Sequence, residues 1–427
     1  MPTRYRVGAA GSAAIMANGL LAAEIWRRRT GQNQTLRLNL IAAAAALRAS
    51  SYLRVDGTKG PDPWSPISGF YQTRDQRWLQ LHCNFPRHKS GVLTLLGCAD
   101  NAEAVSAAIR TRDGSALEDD LTRAGMCASL VRNRAEWLQH DQGRAVAELP
   151  VFEVEKIARS DRIPLPTCGD RPLSGIHVAD FTRVLAGPIA GRTLAEHGAQ
   201  VMRVHAEHLP TIPAAVMDTG HGKDSCHLNL ETPSGRRQLH ELLSTTDVFL
   251  QSYRPGSLAN RGLSPERLGQ QYPGIIYLSL SAYGHRGPWR EKRGFDSLVQ
   301  SVNGMVHEQS GGAVPRHLPV QALDYISGYL LSLGAMAALI RRAQEGGSYL
   351  VRVSLAQTGH WVDQLGRTPV AEADIRFSDI SPWFLKRKTP HGEMSYLGPV
   401  LGMSQTKPRW DRPSVPLGTH RAQWRNV

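Results

Sequence analysis

From Ile176 onward the apolar positions fall into short continuous runs separated by amphipathic stretches. IHVAD (176–180), AQVMRV (199–204), DVFLQSY (247–253) and GIIYLSLSAYG (274–284) are apolar and rich in β-formers, whereas SGRRQLHELLSTT (234–246) spaces its apolar residues as a helix does. Strands alternating with helices of this length predict right-handed β-α-β crossovers and a parallel sheet, covered on both faces. Upstream, Tyr71 to His82 (YQTRDQRWLQLH) reads as a hairpin with a polar turn, and amphipathic helices follow it to Val131. The expected fold class is therefore α/β, with a Rossmann-like parallel-sheet domain over 173–365 and a smaller α+β domain over 49–150. Residues 151–172 read as a linker, since Pro164, Pro166, Gly169 and Pro172 stand among charges, and 366–427 as a C-terminal tail.

The first 48 residues repeat a later segment. Laid on one another at a constant offset of 315 residues, GLLAAEIWRRRTGQNQTLRLNL (19–40) and GAMAALIRRAQEGGSYLVRVSL (334–355) share Gly19/Gly334, Ala22/Ala337, Ile25/Ile340, Arg27/Arg342, Gly31/Gly346 and Leu40/Leu355 without a gap. Each copy reads as a helix, a glycine stop and an alternating strand. The repeat, 324–363 in its later copy, predicts that residues 1–48 complete the large domain. At the same offset Ala9 stands against Asp324, so the early copy lacks that carboxylate.

A chain of 427 residues with 41% hydrophobic and 20% charged residues falls in the ordinary range for globular proteins and outside the ranges of disorder, collagen and coiled coil. Its formal charge of +13 suits a polyanionic partner, but charge alone does not tell nucleic acid from a nucleotide-like ligand. A nucleic-acid site calls for a basic stripe with a reading helix or stacking aromatics, and neither is visible. Five cysteines lie far apart with no C-x-x-C pair, which argues for reduced thiols, a cytoplasmic location and no metal site. The basic tip and apolar stretch at the start have the outline of a signal peptide, yet Glu24 and Arg27 to Arg29 close it without a good cleavage site, and no apolar run is expected to reach the roughly 18–20 residues of a membrane span.

Three loops fall at the expected carboxyl ends of the strands, where parallel sheets bind ligands: TRVLAGP (182–188), QSYRPGS (251–257) and SAYGHRGP (281–288). Each combines Gly or Pro with hydroxyl or cationic side chains, which suits strand termination and equally suits backbone N–H groups and Arg approaching a phosphate.

Their order decides between these readings. LSGIHVADFTRVLAGP, LAEHGAQVMRV, HGKDSCHLNLETPSGRRQL, DVFLQSYRPGSLANRGL, GIIYLSLSAYGHRGPW and GFDSLVQSVNGMV follow one another between Leu173 and Leu355 as in the CaiB/BaiF family, the class III CoA-transferases, and the chain resembles that family. The family includes formyl-CoA and carnitine CoA-transferases and α-methylacyl-CoA racemases. The N-terminal residues 10–48 and 69–140 resemble the other end of a family member, so the modules look circularly rearranged, or like a fusion of two modules that each lost a part.

The resemblance implies a CoA-binding cleft with acyl-CoA and a small carboxylic acid as substrates, no tightly bound cofactor, no metal, no nucleic-acid or membrane partner, and a homodimer. Carried over by position, Val184, Leu185 and Ala186 match the loop beside the thioester end of CoA, His221, Gly222 and Lys223 a basic turn, Ser252, Tyr253 and Arg254 the N-F-R-P-G element, and Ser281, Ala282, Tyr283 and Gly284 the next strand end. Lys223 and Arg254 would pair with CoA phosphates and Tyr253 would pack on the adenine or the pantetheine arm. Three positions depart from the pattern: His205 stands where Glu is usual, Ala206 where an Arg is common, and the Arg after R-P-G is displaced by one to Arg261, behind Asn260.

Asp324 matches the family's nucleophile. It opens a helix, whose N-terminal partial charge is expected to favour the ionised carboxylate; an N-cap role is the structural alternative. The mechanism implied is attack on the thioester, a mixed anhydride, and an aspartyl-CoA thioester that the acceptor acid resolves. Two other outcomes stay open, a CoA-binding paralogue without activity and a racemase. Racemases carry His before the Asp of the G-x-D motif, and Gly294-Phe295-Asp296 has Phe there. No glycine-rich covering loop is found.

Overall fold

The computed structural model describes residues 1–370 and 373–425. In chain order the strands are β1 (Leu36–Leu38), β2 (Arg54–Val55), β3 (Gly69–Gln72), β4 (Trp78–Leu81), β5 (Ala128–Leu130), β6 (Glu153–Ala158), β7 (His177–Phe181), β8 (Gln200–His205), β9 (Lys223–His227), β10 (Val248–Gln251), β11 (Ile276–Ser281), β12 (Ser348–Ser354), β13 (Phe384–Thr389), β14 (Gly392–Leu397) and β15 (Leu401–Met403). Seven of them make one sheet in the order β6-β12-β11-β10-β7-β8-β9, parallel throughout except for β6 on the edge. The strand order reverses around β7, and helices cover both faces, which makes the unit mixed α/β and doubly wound.

The Ala322–Glu345 helix is the spine of the core. Ile326, Leu331 and Leu339 on it are fully buried, each contributing about 1.5–3 kcal/mol relative to exposure. Gly328 lets it press against the Ala186–Glu196 helix, since a Cβ there would meet Ala186 O at 2.6 Å and Ile189 Cβ at 2.8 Å. On its other flank lies the Val7–Thr30 helix, where the buried Asn18 amide donates to Tyr329 O and accepts from Ser332 Oγ. Both repeat copies end their helix on a glycine with positive φ, Gly31 at 77° and Gly346 at 64°, a conformation that favours glycine.

The second half of the repeat diverges. β12 lies inside the large sheet, but β1 pairs antiparallel with β15 from the tail. The position beside β12 is taken by β6, which comes from the stretch expected to be only a linker. Residues 1–48 thus join the large domain through their helix and not through their strand. The tail is likewise structured: β13, β14 and β2 form a small antiparallel sheet, and Trp410 packs into the main core.

The smaller domain has its own core around Leu79, Leu81, Val105, Ile109 and Leu117, built on the antiparallel order β3-β4-β5 with the hairpin where the sequence places it. Two helices, Val7–Thr30 and Ala322–Glu345, are long and apolar enough to cross a bilayer, which corrects the expectation that no run would be; the most apolar window of the second is 83% buried in the core described above.

Candidate functional site

A cleft of about 590 Å³ opens at the carboxyl ends of β7, β8, β9, β10 and β11 and is walled on its far side by the smaller domain. Its size suits a small-molecule ligand. The loop after β7 gives it Val184, Leu185 and Ala186; the loop after β10 gives Ser252, Tyr253, Arg254 and, further on, Arg261; the end of β11 gives Ser281 and Ala282; and Asp324 stands at the start of the Ala322–Glu345 helix. Ten of the residues singled out in the sequence are brought together here.

Val184 is held at φ 68°, in the left-handed region that a β-branched residue rarely enters. Such a conformation costs about 1–3 kcal/mol and persists only where the surroundings impose it. Here the Ala186–Glu196 helix begins within two residues, and Ile189 N–H bonds back to Leu185 O, fixing the loop against the cleft.

Four predicted residues lie elsewhere, together with Gly222. Lys223 begins β9 instead of sitting in a free basic turn, and its Nζ donates to Asp180 Oδ2 and Pro188 O, both at 2.7 Å. Burial lowers its pKa to about 7, with Asp180 acting against that effect. Its ammonium has no free face for a phosphate. His221 is fully buried, stacked on Tyr396 at 3.8 Å between ring centroids and on Trp410 at 5.4 Å, while Gly222 N–H donates to Arg412 O. The tail therefore seals the H-G-K segment. Tyr283 is buried with its hydroxyl 3.5 Å from Ser129 Oγ, and its carbonyl accepts from Gln142 Nε2. Tyr283 and Gly284 join the two domains and do not line the cleft.

The cleft also holds basic residues that sequence reasoning missed: Arg183 after β7, Arg87 and His88 on the Pro86–Leu96 helix of the smaller domain, and Arg293 ahead of Phe295. Among the described residues no carboxylate pairs with Arg87, Arg183, Arg254 or Arg293, whereas Arg261 pairs with Glu231. The guanidinium of Arg183 lies 5.7 Å from the Phe85 ring centroid and donates to Pro210 O. Arg293 Nε is buried without a partner, and so are both ring nitrogens of His205. Burial and the surrounding arginines hold His88 and His205 down at about 4, so both rings are neutral at pH 7 and the guanidinium groups carry the positive charge. Four unpaired guanidinium groups at one opening make a strong anion site. The signal that could have found them is the presence of Arg in TRVLAGP and NFPRHK, but nothing local says those side chains turn toward one cleft.

Asp324 is the third residue of its helix, not its N-cap, which is Gln321. Its N–H donates to Asp296 Oδ2 at 2.9 Å. Contrary to the expectation from the helix terminus, its pKa is raised well above the ordinary carboxylate value, first by burial and then by the charge of Asp296. Asp296 is itself buried and pushed up to about 7 by burial. Two buried carboxyls thus stand side by side, and of the two Asp324 lines the cleft.

The description of CoA-transferase family III matches residues 1–163 and 173–368. The chain belongs to CoA-transferase family III. Among its relatives, an acyl-CoA transferase of Gibberella moniliformis is 28% identical over 89% of this chain and 80% of its own length. An acetyl-coenzyme A transferase of Hypoxylon pulicicidum is 30% identical over 69% of the chain and 54% of its own length, and a probable fatty acyl-CoA transferase of Mycobacterium tuberculosis 33% over 43% and 50%. The chain thus spans most of the first of these relatives and about half of the other two. A crystal structure of a CaiB/BaiF family protein from Brucella suis is 25% identical over 53% of this chain and 65% of that one, with a TM-score of 0.42.

Proposed function

We propose that this chain moves coenzyme A between an acyl-CoA thioester and a carboxylic acid through a covalent intermediate on Asp324. The observation that carries the reading is the position of Asp324 in one cleft with the strained Val184 loop and four arginines that no carboxylate neutralises. CoA brings a pyrophosphate and a ribose phosphate; Arg183 and Arg254 supply charge-assisted donors for them, and Tyr253 an aromatic face for the adenine or the pantetheine arm.

The ionised carboxylate of Asp324 attacks the thioester carbonyl, the C–S bond breaks and CoA thiolate leaves, giving a mixed anhydride. The thiolate then attacks the aspartyl carbonyl and releases the donor's carboxylate, leaving an aspartyl-CoA thioester. The acceptor carboxylate repeats the sequence in reverse and frees Asp324. Attack requires the deprotonated form, so Asp324 must give up its proton before the first step.

One reading competes, a paralogue that binds CoA without turning it over. It draws on the same carboxyl, since a neutral Asp324 is no nucleophile. Incubation with a panel of acyl-CoAs and carboxylic acids, followed by mass spectrometry of the thioesters, separates the two: exchanged thioesters support transfer, and tight CoA binding without any exchange supports the inactive paralogue. The same reading includes a homodimer in the cytoplasm. The five cysteines, all unpaired, support a reducing compartment, and light scattering of the purified protein tests the dimer.

A further inference from the structure

The 24-residue Ala322–Glu345 helix has no cap of its own, for Gln321 makes no side-chain bond to its first turn. The missing acceptor comes from another helix. Asp296, the first residue of the Asp296–Val302 helix and 1% exposed, places Oδ2 2.9 Å from the Asp324 N–H. Its other oxygen accepts from Gln300 Nε2, one turn along the same helix. Gln300 in turn accepts from Leu318 N–H at 2.9 Å and donates to Val320 O at 3.3 Å. Asp296 and Gln300 therefore hold the whole approach to the nucleophile, from Leu318 to Asp324, at backbone level.

A neutral acceptor such as Ser, Thr or Asn would cap a helix as well. A carboxylate at this place adds something a cap does not need, a negative charge against the side chain that must ionise. The pairing has no buried cation to neutralise it: among the described residues Asp296 and Asp324 take part in no ion pair, while the arginines of the cleft, Arg183, Arg254 and Arg293, stand on its wall with His88. His82 stacks on Phe295 at 3.9 Å and is held neutral at about 3 by burial, so it contributes no charge either.

We propose that Asp296 is a positioning residue for Asp324: a second buried carboxylate whose Oδ2 grips the backbone N–H of the nucleophile and sets a like charge beside its side chain. This rests on the reading of Asp324 as nucleophile. It goes beyond that reading in assigning Asp296, which binds the nucleophile's backbone N–H, a role of its own.

The test compares Asp296→Asn and Asp296→Ala with the full-length wild type. Asn keeps an acceptor for the Asp324 N–H and removes the charge, so the acid limb of kcat/KM for acyl-CoA should move at least about one pH unit lower, since the like charge that raised Asp324 is gone. Asp296→Ala also removes the grip, and kcat should fall about 100-fold while Kd for CoA, measured by calorimetry, changes less than about threefold. A purely structural cap would lower the melting temperature and leave the acid limb in place, and that outcome overturns the proposal. If Asp296→Ala does not fold, Asp296→Asn decides alone. Carbon-13 NMR of the aspartate carboxyls, with Asp324→Asn identifying the resonance, reads the same shift without turnover: an Asp324 titration unchanged in Asp296→Asn refutes the proposal even if transfer is observed, whereas a shifted titration in an enzyme with no transfer upholds the pairing and rejects the catalytic reading.

Discussion

Lys223 and Asp180 meet across β9 and β7 in an ion pair of 2.7 Å, their side chains 1% and 0% exposed. This contact takes away the lysine that the family resemblance assigns to CoA and makes it part of the floor beneath the Ala186–Glu196 helix, where Pro188 O also binds it.

Lys223→Met should therefore act on stability and not on the ligand. Removing one partner of a buried pair leaves Asp180 uncompensated and costs about 3–5 kcal/mol. Denaturant unfolding should show that loss, while the Kd for CoA of the folded protein stays within about threefold of wild type.

Arg183 and Arg254 should behave in the opposite way. Each lacks a carboxylate partner in the cleft, so substitution by Gln removes a charged hydrogen bond to phosphate worth about 1.5–3 kcal/mol, while stability falls by no more than the about 0.5–1.5 kcal/mol of a single hydrogen bond such as that of Arg183 to Pro210 O. The Kd for CoA should rise roughly 10- to 100-fold, and its dependence on salt should weaken in titration calorimetry at two ionic strengths.

Val184 at φ 68° yields a third expectation. Glycine accepts this conformation freely, so Val184→Gly should relieve strain and leave the melting temperature equal to wild type or higher, despite the lost side chain. Turnover should fall, because the loop beside the nucleophile is then held less rigidly; a variant with reduced stability and full activity would speak against strain at this position.

Phe295 stacks on His82 and fills the place of the racemase base. No α-proton of a 2-methylacyl-CoA should exchange with deuterated solvent, and rapid incorporation seen by mass spectrometry would reinstate racemisation.

The sequence made the parallel sheet legible because its strands are apolar runs, and β7, β8, β10 and β11 stand where IHVAD, AQVMRV, DVFLQSY and GIIYLSLSAYG place them. It hid β9, since Lys223 and Asp224 open a strand whose charges are met only in three dimensions, by Asp180 and by Arg412, His420 and Arg425 of the tail. It hid β6 for a related reason: Glu153, Glu155 and Lys156 on an edge strand look like loop. The half of the site that belongs to one βα unit was readable from loop wording, as with Val184 to Ala186. Arg87, His88 and Arg293 were not, because they come from segments that face the cleft only once the smaller domain has docked.

Asp324 remains the centre of the account. At pH 8 its raised pKa works against the folded state, because a carboxyl whose folded pKa exceeds its unfolded one favours folding only as pH falls and it takes up a proton. Asp324→Asn should thus melt at or above the wild-type temperature at pH 8, with the difference vanishing toward pH 4, and bind CoA with unchanged affinity. The direct measurement is peptide mass spectrometry after incubation with acyl-CoA and quenching with hydroxylamine. The account predicts a hydroxamate on Asp324 in the wild type and none in Asp324→Asn, with transfer abolished in the variant; transfer that persists in Asp324→Asn, or a hydroxamate on another residue, would contradict it.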